Sequence, residues 1–207
     1  MWDLLMKYLC PRDFRRGEME EKMQKNKVGT MEKMKKDEFD QIFDLMKLSF
    51  PIIEYRDYDA QKALLSNPHY QILTLPDTVS GFIKAFMAIW EFDELIYIEH
   101  FAVSPRFRNH GLGAVMLQEL LSSTPKQVCL EVELPQTEIA ARRIAFYERN
   151  HFVFNPYPYM QPSLGAGRAP QPLRIMTSDH AITRSEFEAI RALLYRYVYH
   201  AETEESK

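Results

Sequence analysis

A chain of 207 residues with 46% hydrophobic and 27% charged side chains has a soluble globular balance and room for one domain with a sizeable core, which excludes the disordered and fibrous classes. Its net charge of -3 lacks the basic excess of a domain that tracks a phosphate backbone, so no nucleic-acid partner is expected. No segment has the length of a membrane-spanning helix, Met1–Cys10 is too short and too interrupted by Asp3 and Lys7 for a signal peptide, and Cys10 and Cys129 lie far apart, which together predict a cytoplasmic protein with no membrane partner. The histidines show no pairing on one helix face and no Cys-x-x-Cys partner, so no metal is expected.

Residues 1–29 combine a short apolar patch with PRDFRRGEMEEKMQKNK and are expected to form a charged, loosely attached N-terminal extension. The alternation of folded elements begins at Met31, which therefore stands as an alternative translation start. A single domain is expected over 30–200, followed by a C-terminal tail over 201–207. A short first strand falls within Val28–Met34. Asp37 then caps a helix in which Phe39, Ile42, Phe43, Leu45, Met46 and Leu48 recur at helical spacing, and Pro51 ends it. The following PIIEYRDY either lines a substrate cleft or caps an edge of the core. A second short helix covers Asp57–Leu65, closed by Asn67 and Pro68. Tyr70–Leu75, Gly81–Phe92 and Leu95–Val103 read as an antiparallel meander, with turns at Pro76-Asp77 and Asp93-Glu94.

The stretch Phe101–Leu121, FAVSPRFRNHGLGAVMLQELL, runs from strand through a basic turn into a helix behind two glycines. Without a Cβ at Gly111 and Gly113 the backbone turns tightly, and the unpaired amides and positive dipole end of the helix suit a phosphate or pyrophosphate. Gln127–Leu134 is the next strand, and a helical crossover of this length makes it parallel to the strand ending at Val103. A helix over about Glu138–Asn150, a short strand near Phe152, an irregular NPYPYMQPSLGAGRAPQP, a strand at Leu173–Thr177 and a helix at Arg184–Tyr199 complete the order. The fold class is α+β around one mixed sheet.

Two motifs in this order resemble the GNAT superfamily of acyl-CoA-dependent N-acyltransferases over about Met31–Thr177. AVSPRFRNHGLGAVML carries Val103, Pro105, Arg108, Gly111 and Gly113 at that family's Val-x-Pro-x-x-Arg/Gln-x-x-Gly-x-Gly/Ala spacing, and RIAFYERNHF carries Tyr147, Glu148, Arg149 and Phe152 of its downstream helix. The resemblance implies a central, mostly antiparallel sheet of about six or seven strands flanked by helices, with a V-shaped splay between its two parallel strands. It further implies acetyl-CoA as co-substrate, its pyrophosphate on Arg108, Asn109, His110, Gly111, Leu112, Gly113 and Ala114, and its pantetheine arm added as a strand beside Phe101, Ala102 and Val103. There are departures: Ala140 stands where the family often has Asn, and His151 where it has Gly.

Amide formation from a thioester needs a neutral amine, a holder for the oxyanion and a proton for the departing thiolate. Tyr147 resembles the family's general acid; its other reading is a helix tyrosine packed at the sheet edge. For a base, strand alternation sends Val128, Leu130 and Val132 to one face and Glu131 with Glu133 to the other, while Glu99 shares the parity of Tyr97, Phe101 and Val103, with His100 opposite. Glu131 and Glu99 are close candidates, and each is alternatively a solvated strand carboxylate. Phe154, Tyr157 and Tyr159 form either an acceptor lid or a surface loop, and Tyr195, Tyr197 and Tyr199 either a packing face or a dimer contact. An N-acetyltransferase acting on a primary amine of a small molecule or peptide, as monomer or homodimer, is the leading expectation. A non-catalytic CoA-binding sensor and a pyrophosphate-binding protein unrelated to CoA are the alternatives.

Overall fold

Alternating apolar residues along the strands and three-to-four spacing along the helices give every element one face to bury, and a single sheet accepts both sets of helices. The computed structural model describes residues 29–201. The charged extension over residues 1–28, with Cys10, and the tail over 202–207 lie outside the described residues.

The strands are β1 (Glu32–Lys33), β2 (Tyr70–Pro76), β3 (Ile83–Glu91), β4 (Leu95–Val103), β5 (Gln127–Glu133), β6 (Phe152–Phe154), β7 (Tyr159–Gln161) and β8 (Gln171–Ser178). The helices are α1 (Phe39–Ser49), α2 (Tyr58–Ala63), α3 (Leu112–Ser123), α4 (Glu138–Arg149) and α5 (Arg184–Leu194). The sheet runs β1-β2-β3-β4-β5-β8-β6, with β7 also on β8. Among the described residues only β4 and β5 pair in parallel, as the crossover through α3 requires. Phe86, Trp90, Tyr97 and Ile175 face one side, against Phe39, Ile42 and Met46 of α1 and Phe187 and Leu194 of α5. The opposite side buries Met87, Ile89, Ile98 and Leu130 with Met116 and Leu117 of α3 and Ile144 of α4. Among the described residues, no helix is long and apolar enough to cross a membrane.

Several boundaries differ from expectation. Asp37 falls inside a short 3-10 turn, Lys36–Glu38, and α1 begins at Phe39. The chain between Asn155 and Pro170 is not wholly irregular. Tyr159 and Gln161 of β7 point inward and Met160 outward, an alternation that three residues between prolines suffice to carry. The last helix stops at Leu194 and widens into a π-turn, Tyr195–Tyr199, closed by left-handed His200.

The largest correction concerns β4. Ala88 of β3 opposes His100, whereas Ile89 opposes Ile98, leaving Glu99 as an extra residue in β4. Such a bulge shifts the alternation by one. Glu99 therefore does not share a face with Phe101 and Val103. Its carboxylate binds Trp90 and Arg56 on the α1 and α5 side, His100 packs there against Phe50 of the chain after α1, and Phe101 and Val103 turn toward Gly113 of α3.

Candidate active site

The site begins where pairing ends. β4 and β5 are hydrogen-bonded partners from Leu95 with Gln127 to Ile98 with Leu130; beyond that, His100–Val103 stay with β3 and Glu131–Glu133 go with β8. The opening is a cleft of ≈ 590 Å³ lined by Glu99, Phe101, Ala102, Val103 and Arg108 on one side, by Glu131, Glu133 and Gln161 on the other, and by Tyr147. The free edge of Phe101–Val103 is the kind of edge to which an extended ligand adds as a strand. Ala102 is buried at 7% exposure.

A second cleft of ≈ 460 Å³ continues from this one, sharing Phe101, Val103, Arg108 and Tyr147, and is lined by Asn109, Gly111, Leu112, Gly113 and Ala114. Its floor is the start of α3. Asn109 (φ 64) and Gly111 (φ 76) are left-handed, and the first intrahelical bond there, Val115 N–H to Gly111 O at 3.1 Å, leaves the amides of Leu112, Gly113 and Ala114 ahead of it. A Cβ on Gly113 would stand 3.2 Å from Phe146 and 3.6 Å from Phe101, so the helix start packs directly on the strand. Arg108 donates from Nε to Val103 O at 3.1 Å, tying the turn to β4. His110 lines neither cleft; its Nδ1 lies 3.0 Å from Arg108 O.

The two carboxylates differ sharply. Burial works to raise the Glu99 carboxyl, but the charge of Arg56, then His100, and hydrogen bonds from Arg56 and Trp90 overcome it and hold the group below its ordinary range. Both of its oxygens are occupied, one by Arg56 and the other by Trp90 Nε1 at 3.0 Å. Burial dominates at Glu131, pushing it up to about 7 against the hydrogen bonds it accepts. Tyr159 opposes most, then Tyr199, Tyr97 and Gln161; of these, Tyr199 Oη stands 2.9 Å and Gln161 Nε2 2.6 Å from the carboxylate. Tyr147 is 8% exposed and stacked edgewise on Phe146 and Phe152; burial raises its phenol to about 12, with Arg143 opposing. Glu54 is also raised by burial and then by Glu133, which itself pairs with Arg143 at 3.0 Å.

The structure thus brings Tyr147, Glu131 and Glu99 to one cleft, yet neutralises Glu99 within an ion pair. Gln161 and Arg143 line the cleft without being singled out from the sequence, and Arg56 and Tyr199, read there only as part of PIIEYRDY and as a packing or dimer face, contact its carboxylates Glu99 and Glu131. PIIEYRDY does reach the cleft, through Glu54. His151 occupies a left-handed position (φ 68) after α4, which is why glycine suits that place.

A mixed sheet split between its parallel strands, with a glycine-led helix start at the mouth of the split, is the arrangement expected from the resemblance to the acyl-CoA-dependent acyltransferases. The model of the Acetyltransferase (GNAT) family matches residues 39–152, more than half of the chain, and the chain belongs to that family. Among solved structures, a GNAT-family acetyltransferase from Bacteroides thetaiotaomicron is 29% identical, with a TM-score of 0.76 over 84% of this chain and 100% of its own. A mutant of spermidine N-acetyltransferase SpeG from Vibrio cholerae (TM-score 0.56, 14% identity, 72% of this chain and 94% of its own) shares the fold. So does an aminoglycoside 6'-N-acetyltransferase complexed with coenzyme A (TM-score 0.51, 17% identity, 72% and 96%). No curated protein sequence matches the chain.

Proposed function

We propose that this acetyltransferase moves the acetyl group of acetyl-CoA to a primary amine of a small molecule or peptide by direct attack in a ternary complex. The observation that carries the reading is the pairing of Glu131 and Tyr147 across one cleft that runs on to the amides at the start of α3. Pyrophosphate would sit on the amides from Arg108 to Ala114, where helix dipole and unpaired N–H groups favour an anion. The pantetheine arm would extend along Phe101–Val103. Glu131, held at about 7, suits a general base near neutral pH, taking a proton from the incoming ammonium directly or through one water. The Tyr147 phenol remains protonated throughout that range and would give its proton to the departing thiolate. Glu99, ionised and fully bonded, is the structural carboxylate. The only cysteine among the described residues, Cys129, is buried with its thiol pushed up by burial and Glu131, so it is no nucleophile for a covalent acetyl intermediate.

Incubation with acetyl-CoA and a panel of primary amines, followed by free-thiol detection and mass spectrometry of the product, tests the reading. Release of CoA only with an amine, with that amine gaining one acetyl group, is expected. Binding of acetyl-CoA without transfer across the panel would instead identify a CoA-binding module.

A further inference from the structure

At about 100° per residue, continuation of α5 as an α-helix would turn Tyr199 roughly 140° away from buried Leu194 and off the sheet. The chain instead inserts a π-turn over Tyr195–Tyr199, closed by His200 N–H to Tyr195 O, and a wider turn brings Val198 and Tyr199 to 1% and 9% exposure. π-turns carry a cost in backbone geometry and concentrate at functional places. Here the gain is one hydroxyl on one carboxylate.

The protons in this network can be placed by counting. Tyr199 Oη lies 3.0 and 2.9 Å from the two Glu131 oxygens, and a carboxylate only accepts, so Tyr199 donates. Its own oxygen then accepts from Tyr97 Oη at 2.8 Å and Gln161 Nε2 at 3.1 Å. Gln161 also donates to Glu131. With Glu131 ionised, every donor in the set is directed at Glu131 or at the hydroxyl that binds it; protonation of Glu131 reverses the Tyr97–Tyr199–Glu131 chain.

From this geometry we infer that Tyr199 is a positioning residue for the reaction: the π-turn after α5 holds its hydroxyl on Glu131, fixing the carboxylate's orientation and favouring its ionised form. The inference rests on the assignment of Glu131 as base. The groups facing Glu131 are Tyr97 of β4, Tyr159 and Gln161 of β7, Tyr199 of the π-turn and Cys129 of its own strand, with the Arg56–Glu99 pair beyond Tyr199. Among them only Arg56 carries positive charge, and Glu99 neutralises it. Hydrogen bonding is therefore what opposes burial at Glu131, and loss of the Tyr199 hydroxyl raises its pKa.

The test is Tyr199→Phe, which keeps the ring and removes the donor. The acid limb of kcat/KM is expected to move up by about one pH unit, with about tenfold lower activity below pH 7 and an unchanged KM for acetyl-CoA. In a Glu131→Gln background the same change is expected to add no loss of kcat. An unmoved pH profile, or a full additional loss in that background, overturns the inference. If the chain transfers no acetyl group to any amine, carboxylate titration by isotope-edited infrared or NMR still decides the matter. An upward shift of the Glu131 titration in Tyr199→Phe then supports the contact while the catalytic reading fails, and an unshifted titration defeats both. Should Tyr199→Phe not fold, Tyr97→Phe, which removes the proton that saturates Tyr199, is expected to give a smaller shift of the same sign. No shift there overturns the network.

Discussion

Replacement of Glu131 by Gln separates its thermodynamic cost from its chemistry. The folded-state pKa of Glu131 lies at about 7 against an ordinary 4.5, so between those values the unfolded chain gives up its proton while the folded chain keeps it. Stability from this group is complete below about pH 4.5 and is lost as pH rises through about 7. At ~1.4 kcal/mol per unit the full loss is about 3–4 kcal/mol, most of it falling between pH 5 and 8. Glu131→Gln removes the ionisation and hence this slope. The replacement amide also meets the N–H donors of Gln161, but that offset does not vary with pH, so the slope is the readout. Other groups titrate in the same window, including His100, whose pKa is lowered first by burial and whose contribution runs the opposite way; the difference between wild type and variant cancels them. Denaturant unfolding at half-unit steps from pH 5 to 8.5 should show the variant gaining about 2–3 kcal/mol on wild type with rising pH, or on the order of 5–10 °C in Tm. Acetyl transfer by the variant should lose the acid limb and fall by about 10²–10⁴-fold at neutral pH. Parallel stability curves for the two proteins would refute an elevated Glu131 pKa, whatever the activity.

Three further outcomes follow from the same geometry. Tyr147→Phe should lower kcat by about 10²-fold or more with little change in KM for acetyl-CoA; full activity at every pH from 6 to 9 would remove Tyr147 as the acid. Glu99→Gln leaves Arg56 buried without its counter-charge and should cost about 3–5 kcal/mol of unfolding free energy, measured by denaturant titration at pH 7. Because the Glu99 pKa is lowered, its contribution is present above the ordinary carboxylate range and lost as pH falls through the folded value, so wild type should lose stability in acid more steeply than Glu99→Gln. Arg108→Gln should raise KM for acetyl-CoA several-fold and flatten its salt dependence while leaving kcat near wild type, since the guanidinium stands at the mouth shared by both clefts; a loss confined to kcat would place Arg108 elsewhere in the reaction.

How much of this is legible in the sequence depends on whether the cause is local. Gly111 and the apolar residues behind it announce the start of α3 because the left-handed turn and the helical period are properties of a few adjacent residues. The meander β2 to β4 and the parallel β5 follow from alternation and crossover length. The bulge at Glu99 does not, since it exists only in the register between β4 and β3, and one unpaired residue reverses the parity assigned to Phe101, Val103 and His100. Gln161 is hidden for a related reason: it sits between Met160 and Pro162 in a segment whose composition signals a loop, and becomes a strand residue only against Gln171 of β8. Tyr199 is legible only as part of a packing face or dimer contact of the last helix, because the π-turn that rotates it onto Glu131 leaves no local mark in the sequence.

Glu99 and Glu131 show why two carboxylates at one fork of a sheet need not compete for one role. Both lie one residue beyond the last parallel pair, Ile98 with Leu130. Glu99 keeps the face of Tyr97, where Arg56 and Trp90 wait, while the bulge turns Phe101 and Val103 away from it, and a buried guanidinium in contact overcomes the desolvation of the carboxylate. Glu131 meets only neutral donors. Hydrogen bonds from four neutral groups, Tyr159, Tyr199, Tyr97 and Gln161, offset part of its burial but leave its pKa near neutrality, where a base can both lose and regain a proton during turnover. The difference therefore rests less on the carboxylates than on what faces them. A cation facing Glu131 would depress it as Arg56 depresses Glu99, and the cleft would then hold two permanent anions and no base matched to pH 7.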